Sequence, residues 1–231
     1  MATRQMEHPV ILMIETSTEW CSVAVSEGET IVARRLTQTG RQHASLLAPF
    51  VDEVLKEAGL KASDCDAVAV SEGPGSYTGL RVGVSTAKGL CFGAGIPLLA
   101  GGTLKVLAMQ GAGKADFIVP MIDARRMEVY CAGFDGNGAE ISGTEARILD
   151  ESSFSDLLEK GRVLFIGDGA AKFSEVCHHP NALFDTTSPL ADGMLLPALE
   201  SYKKKEFEDI AYFEPFYLKE FVAGISKKSV L

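Results

Sequence analysis

The chain has 231 residues, 46% of them hydrophobic, enough for one large domain or for two lobes that each bury a core. It carries 22 basic against 31 acidic residues, a net charge of −9 that repels a phosphate backbone unless a local basic patch intervenes. No apolar run approaches the ~20 residues that span a bilayer, and the polar stretch from Met1 to Pro9 does not read as a secretory signal.

Val10-Ile11-Leu12-Met13-Ile14 is a continuous apolar run, the pattern of a strand buried on both faces. Residues 21–25 and 31–36 are strand-like and flank Ser26-Glu27-Gly28-Glu29, a hairpin turn. Residues 42–58 follow the helical period, with Leu47, Val51, Val54 and Leu55 on one apolar face, Gly59 as the stop and Pro49 as a source of a kink or a loose first turn. A buried strand is expected over 67–70, a helix over 76–93 and a short strand over 96–99.

The second half restarts in the same way. An apolar run over 117–122 ends in Asp123, and a second strand follows over 127–134. Ile14-Glu15-Thr16 followed by Ser22-Val23-Ala24 is thus matched by Ile122-Asp123-Ala124 followed by Glu128-Val129-Tyr130. An acid after a buried strand, then an antiparallel return strand, occurs once in each half. This predicts an α/β chain with a duplicated, two-lobed actin/hexokinase-like (ASKHA) fold, mixed sheets flanked by helices, with lobes over 1–102 and 103–231.

Glu15-Thr16-Ser17-Thr18 sits at the carboxyl end of the first strand, where α/β folds place ligands. Hydroxyls and an acid there suit phosphate and Mg²⁺. They suit equally a turn rich in side-chain to backbone hydrogen bonds. Asp123 and Gly167-Asp168-Gly169 also follow apolar runs, the places of a second phosphate loop and an adenosine loop in an actin-like fold. The candidate nucleotide contacts are therefore Glu15, Thr16, Ser17, Asp123 and Asp168.

The stretch from Glu72 to Gly83 is the most informative. Glycines around Pro74 make a sharp strand-to-helix turn, and Ser76 is a candidate N-cap. The pattern of a P-loop is absent. Inside the helix, Gly79, Gly83 and Ala87 recur every four residues, and Gly89 and Gly93 do so one face round. Each interior glycine costs about 1 kcal/mol relative to alanine. The compensation is either close backbone approach by another helix or tight packing on the protein's own sheet.

Five scattered cysteines without a C-x-x-C pair read as reduced thiols of a cytoplasmic protein. Lys203-Lys204-Lys205 is followed at once by acids and reads as a solvated helix face. Any RNA chemistry is then expected to run through a partner. Histidine is scarce: no H-x-x-x-H exists, and Cys177 with His178-His179 is a poor metal site because adjacent side chains rarely converge on one ion. No G-x-S-x-G elbow supports a hydrolase.

Gly73-Pro74-Gly75-Ser76-Tyr77-Thr78-Gly79-Leu80-Arg81-Val82-Gly83, then Thr86-Ala87-Lys88-Gly89-Leu90, closely resembles the TsaB (YeaZ) family of bacterial tRNA threonylcarbamoyladenosine biosynthesis subunits. Ile14-Glu15-Thr16-Ser17-Thr18, Asp123-Ala124-Arg125-Arg126-Met127-Glu128-Val129-Tyr130, Gly167-Asp168-Gly169-Ala170 and Glu214-Pro215-Phe216-Tyr217-Leu218-Lys219 resemble it too, in family order. The resemblance implies a paralogue of the metal-dependent catalytic subunit TsaD. TsaD-like proteins carry two histidines on the helix after the first hairpin, where this chain offers His43 and, four residues on, Leu47. The family's usual acid after the first strand is Asp, and here it is the longer Glu15.

The role implied is a non-catalytic subunit without a cofactor of its own, ATP and metal belonging to partner subunits. It would heterodimerise with TsaD during transfer of threonylcarbamoyl to N6 of adenosine 37 in ANN-reading tRNAs. TsaE, an ATPase, and TsaC, which makes the threonylcarbamoyl-adenylate, are the further partners, with tRNA met through the complex and a homodimer formed by the lone chain. The expected docking surface is Leu46, Leu47, Phe50, Val51 and Val54 on the first helix with Tyr77, Gly79, Val82, Gly83, Thr86 and Ala87 on the glycine-spaced helix. The rival function is a stand-alone nucleotide hydrolase or glycoprotease-like peptidase working in the cleft of the fold.

Overall fold

The computed structural model describes residues 8–38 and 42–219. Most of the N-terminal stretch read above for a leader lies outside them. Two five-stranded sheets carry the fold. In the first, β1 (Val10–Glu15) is central, paired antiparallel with β2 (Trp20–Glu27) and parallel with β4 (Ala67–Gly73). β3 (Thr30–Gln38) lies outside β2, and β5 (Leu98–Gly102) outside β4. In the second, β6 (Phe117–Asp123) is central, antiparallel to β7 (Glu128–Asp135) and parallel to β9 (Val163–Ile166). β8 (Glu140–Ile148) and β10 (Ala182–Asp185) close its edges.

The orders β3-β2-β1-β4-β5 and β8-β7-β6-β9-β10 coincide when each strand of the first sheet is matched with the strand five later. The duplication read from a few residues is therefore a duplication of topology and strand direction. Its detail extends to the end of the fourth strand in each half. Gly73 (φ +122°) and Gly167 (φ +121°) both end a parallel strand beneath a helix start, with a backbone carbonyl, of Phe216 or Met121, where a side chain would begin. Only glycine serves there, on conformation and on space.

β1, β4, β6 and β9 are buried along nearly their whole length, which explains why they stand out as apolar runs. One face of the first sheet is covered by α1 (His43–Glu57) and α2 (Tyr77–Ala94), which share a core with β1, β2 and β4. Pro49 lies inside α1 on its exposed side. Ser45, whose carbonyl Pro49 cannot bond, is exposed as well, so water can satisfy that carbonyl. Ser76 caps α2 by accepting from the Gly79 N–H at 3.3 Å, and Gly95 ends it in the left-handed conformation.

The opposite face is covered from the other half of the chain. α3 (Thr103–Gly111) packs between the two sheets. A 3₁₀ turn over Ala191–Met194 and α6 (Leu195–Lys204) return to the first sheet, where Met194, Ala198 and Leu199 meet Ile11, Met13 and Leu99. A boundary after residue 102 thus separates the sheets but not the layers that cover them. α4 (Ser155–Leu158) and α5 (Ala170–Ser174) complete the second half, whose core joins Phe154, Phe165 and Phe173. Among the described residues no helix is long and apolar enough to cross a membrane.

Beyond α6 the chain runs as a strap. Glu208 pairs with Leu98 at the β5 edge, and the Lys88 ammonium donates to the Ala211 and Phe213 carbonyls. Phe216 N–H donates to the Glu72 carbonyl at 2.7 Å, and Tyr217 packs on Tyr77 with ring centres 4.8 Å apart. Lys219 then pairs with Glu128 in the second half.

Candidate functional site

In each half, the acid that follows the central strand should open a ligand cleft. In the first half the cleft is closed by the protein itself. Glu15, Thr16, Ser17 and Thr18 are all 6% exposed or less. The Ser17 carbonyl accepts from the Ser76 N–H at 2.6 Å, and the Thr16 hydroxyl donates to the Gly79 carbonyl at 2.9 Å. A Cβ added at Gly75 would strike the Ser17 carbonyl; at Gly79 it would strike the Thr16 carbonyl, and at Gly83 the Thr16 hydroxyl. The α2 backbone therefore lies directly on the loop that would hold phosphate.

The Glu15 carboxyl accepts from the Ser17 N–H at 2.7 Å through Oε1, while Oε2 and the Ser17 hydroxyl have no partner. Burial pushes the Glu15 pKa above the usual carboxylate value. A carboxyl covered this tightly does not suit a hydrated divalent cation.

In the second half, Asp123, Asp168 and Lys172 form one cluster. Asp168 accepts from the Asp123 N–H at 2.8 Å, and burial raises the Asp168 pKa. The Lys172 ammonium reaches up from α5 to the Asp123 carboxylate at 2.6 Å and to the Arg126 and Glu128 carbonyls at 2.7 Å each. It bridges these three oxygens with its own positive charge.

The turn that Lys172 holds is unusual. Arg125 and Arg126 are consecutive residues with φ of +72° and +52°. Each costs roughly 1 kcal/mol or more in that conformation relative to glycine. The turn is further fixed by the Arg125 N–H donating to Asp123 at 2.6 Å. Neither Lys172 nor the arginine pair was singled out by composition, because both roles depend on a contact between α5 and the β6–β7 turn.

The positions that match the histidine pair of TsaD-like proteins lie in the interior. His43 is buried, and its ring contacts the Trp20 carbonyl at 3.2 Å. Leu47, four residues on, is 1% exposed in the core. Among the described residues no group of three His, Cys, Asp or Glu side chains could hold a metal ion. The residues present do not fit the metal centre of a TsaD-like enzyme.

The expected docking residues divide into two sets. Leu47, Val51 and Val54 of α1 and Gly79, Gly83 and Ala87 of α2 are buried within this subunit. Of the two explanations of the glycine spacing, close approach to the protein's own body is the one found for Gly79 and Gly83. Leu46, Phe50, Tyr77, Val82 and Thr86 are half-buried. The outward side instead carries Ala44 and Ala48 of α1 with Thr78, Ser85, Gly89 and Gly93 of α2, next to Phe92, which is 85% exposed. Gly89 and Gly93 have nothing within 4 Å of an added Cβ.

Comparison with known proteins places the chain in a family. The family described as TsaD: tRNA N6-adenosine threonylcarbamoyltransferase matches residues 35–223. The tRNA threonylcarbamoyladenosine biosynthesis protein TsaB of Haemophilus influenzae is 32% identical, over 93% of this chain and 95% of that protein. The TsaB of Escherichia coli is 30% identical, over 92% of this chain and 96% of that protein. The structure of YeaZ from Pseudomonas aeruginosa superimposes with a TM-score of 0.79 at 29% identity, covering 91% of this chain and all of that one (100%). A more distant likeness of fold alone, TM-score 0.50 at 15% identity over 86% of this chain and 99% of the other, links it to component A of the (R)-2-hydroxyglutaryl-CoA dehydratase of Acidaminococcus fermentans. The fold is thus the actin/hexokinase-like one, and the chain belongs to the TsaB family of tRNA threonylcarbamoyladenosine biosynthesis proteins, within the wider TsaD family.

Proposed function

We propose that this chain is the non-catalytic subunit of the assembly that places threonylcarbamoyl on N6 of adenosine 37 in tRNAs reading ANN codons. It works in the cytoplasm by heterodimerising with a TsaD-type paralogue. The observation that carries the reading is the packing of Thr16 beneath Gly79 and Gly83, which sets the α2 backbone directly against the end of β1. Closure by Lys172 in the second half points the same way. Chemistry that needs ATP and metal then belongs to partner subunits: the TsaD-type enzyme, a TsaE-type ATPase, and TsaC as the source of the threonylcarbamoyl-adenylate.

What the first half offers a partner is the outward side of α1 and α2. Small side chains there let another pair of helices approach closely, and Phe92 supplies an apolar anchor. The same surface would pair two copies of the chain when the partner is missing. The test is co-purification with the TsaD of the same organism, followed by tRNA modification assays with either subunit omitted. The expected result is a one-to-one complex in which neither subunit acts alone. Modification by this chain alone, or stoichiometric binding of ATP or metal to it, would overturn the proposal in favour of a stand-alone enzyme.

A further inference from the structure

The second half presents a basic site on the β6–β7 turn. Arg125 and Arg126 occupy successive left-handed positions of the β6–β7 turn, and both side chains are exposed. Tight hairpin turns with two such residues favour Asn-Gly or Gly-Gly. Two arginines here are held against the preference of their own backbone.

The holding device is visible. Lys172 ties the Arg126 and Glu128 carbonyls from below and neutralises Asp123, and Lys219 pairs with Glu128. The acids nearest the turn are thereby occupied by other cations. The two guanidinium groups have no hydrogen bond or ion pair among the described residues. Beside them lies an open groove lined by Met127, Glu128 and Ile148, the last 73% exposed.

We infer that Arg125 and Arg126 form a contact site for the phosphodiester backbone of RNA. Guanidinium forks match phosphate oxygens in pairs, and an extended polyanion gains further from counterion release. The groove is half open to solvent rather than an enclosed cavity. On a chain with net charge −9, a local pair of unneutralised cations is where such a strand can approach. That the RNA is tRNA rests on the proposed function; the contact itself does not.

The test titrates fluorescent tRNA with the full-length chain, alone and assembled with its TsaD-type partner, between about 50 and 200 mM salt. R125A/R126A is expected to weaken binding about tenfold and to lower the slope of log K against log salt by about 1.5, as for two lost phosphate contacts. R125G/R126G should lose the same affinity while melting no lower than the wild type, because glycine suits both positions. K203A/K205A, removing two exposed lysines elsewhere, should change affinity less than twofold. An unchanged slope in the arginine variants, or an equal loss in the lysine variant, overturns the inference. Loss of the protein complex with tRNA affinity retained would assign the pair to an acidic protein surface and overturn it as well. If the wild-type chain fails to bind the TsaD-type protein, the proposed function fails. The titration of the lone chain still reads the arginine pair, and lack of binding there counts against it.

Discussion

Thr16 and Gly79 meet at two points: the Thr16 hydroxyl donates to the Gly79 carbonyl at 2.9 Å, and the Thr16 carbonyl stands where a Gly79 side chain would begin. The contact joins the end of β1 to the first turn of α2, and a main-chain carbonyl cannot swing aside as a side chain can. Gly79→Ala should therefore cost about 2–3 kcal/mol, at the upper end of overpacking. Gly83→Ala meets the Thr16 hydroxyl, which can rotate, and should cost less. Gly89→Ala opens onto free space and should stabilise by about 0.5–1 kcal/mol. Urea denaturation of the three variants orders them; a Gly79→Ala variant as stable as Gly89→Ala would refute the packing.

Glu15 makes stability depend on pH in a direction opposite to that of a salt-bridged acid. Its pKa is raised by burial, so the folded state holds the proton more tightly than the unfolded one. Stability contributed at this site is thus present at low pH and is lost as pH climbs from the ordinary value of 4.5 to the raised folded value. Glu15→Gln keeps an oxygen for the Ser17 N–H and removes the charge. The variant should match the wild type near pH 4 and exceed it at pH 7, measured as the difference between urea midpoints. A variant weaker than the wild type at pH 7 would mean that the buried carboxylate is stabilised by something these contacts do not include.

The thiols should be inert in the folded protein. All five cysteines are buried, and desolvation pushes Cys65 and Cys131 up to about 12 and Cys21 and Cys91 up to about 11. Only thiolate reacts with a disulfide reagent. At pH 8 the native chain should show almost no reaction with Ellman's reagent over minutes, and all five thiols should react in guanidinium. Fast labelling of Cys65 or Cys131 in the native state would contradict their burial.

Much of this was legible in the sequence, for a physical reason. Strands buried on both faces must be apolar throughout, so β1, β4 and β6 announce themselves, and an acid at the end of β1 and of β6 reveals the duplication. β8 gave no such signal: it is exposed at most positions and lacks an apolar alternation. The strap was legible as a family segment over 214–219 but not in its path, because its bonds go to Leu98, Glu72 and Lys88, distant along the chain. Spacing of four told that Gly79 and Gly83 share a helix face. It could not tell which body that face meets, since the partner, Thr16, lies 63 residues from Gly79. Lys172 reads as an ordinary helix residue until α5 is placed beneath a turn 46 residues upstream.

The outward side of α1 and α2 is what the first half leaves for a partner. With Leu47, Val51, Val54, Gly79, Gly83 and Ala87 used inside the subunit, a partner has Ala44, Ala48, Ser85, Gly89, Gly93 and Phe92 to meet. Small residues on two neighbouring helices admit two more helices at short distance, each chain giving a pair. A second copy would meet this surface across a two-fold axis, and a TsaD-type paralogue would present its equivalent helices. The two modes then compete for one surface. Gly89→Arg places a long cation where nothing now lies within 4 Å, so the subunit should fold normally, with an unchanged circular dichroism spectrum. Its association should weaken by at least tenfold, for the homodimer and the heterodimer alike. Adding the TsaD-type protein to the wild-type chain should convert homodimer to heterodimer in native mass spectrometry, without an intermediate that keeps both contacts. If Gly89→Arg abolishes one mode and spares the other, or if a species with both contacts accumulates, the two interfaces are distinct and this surface serves only one of them.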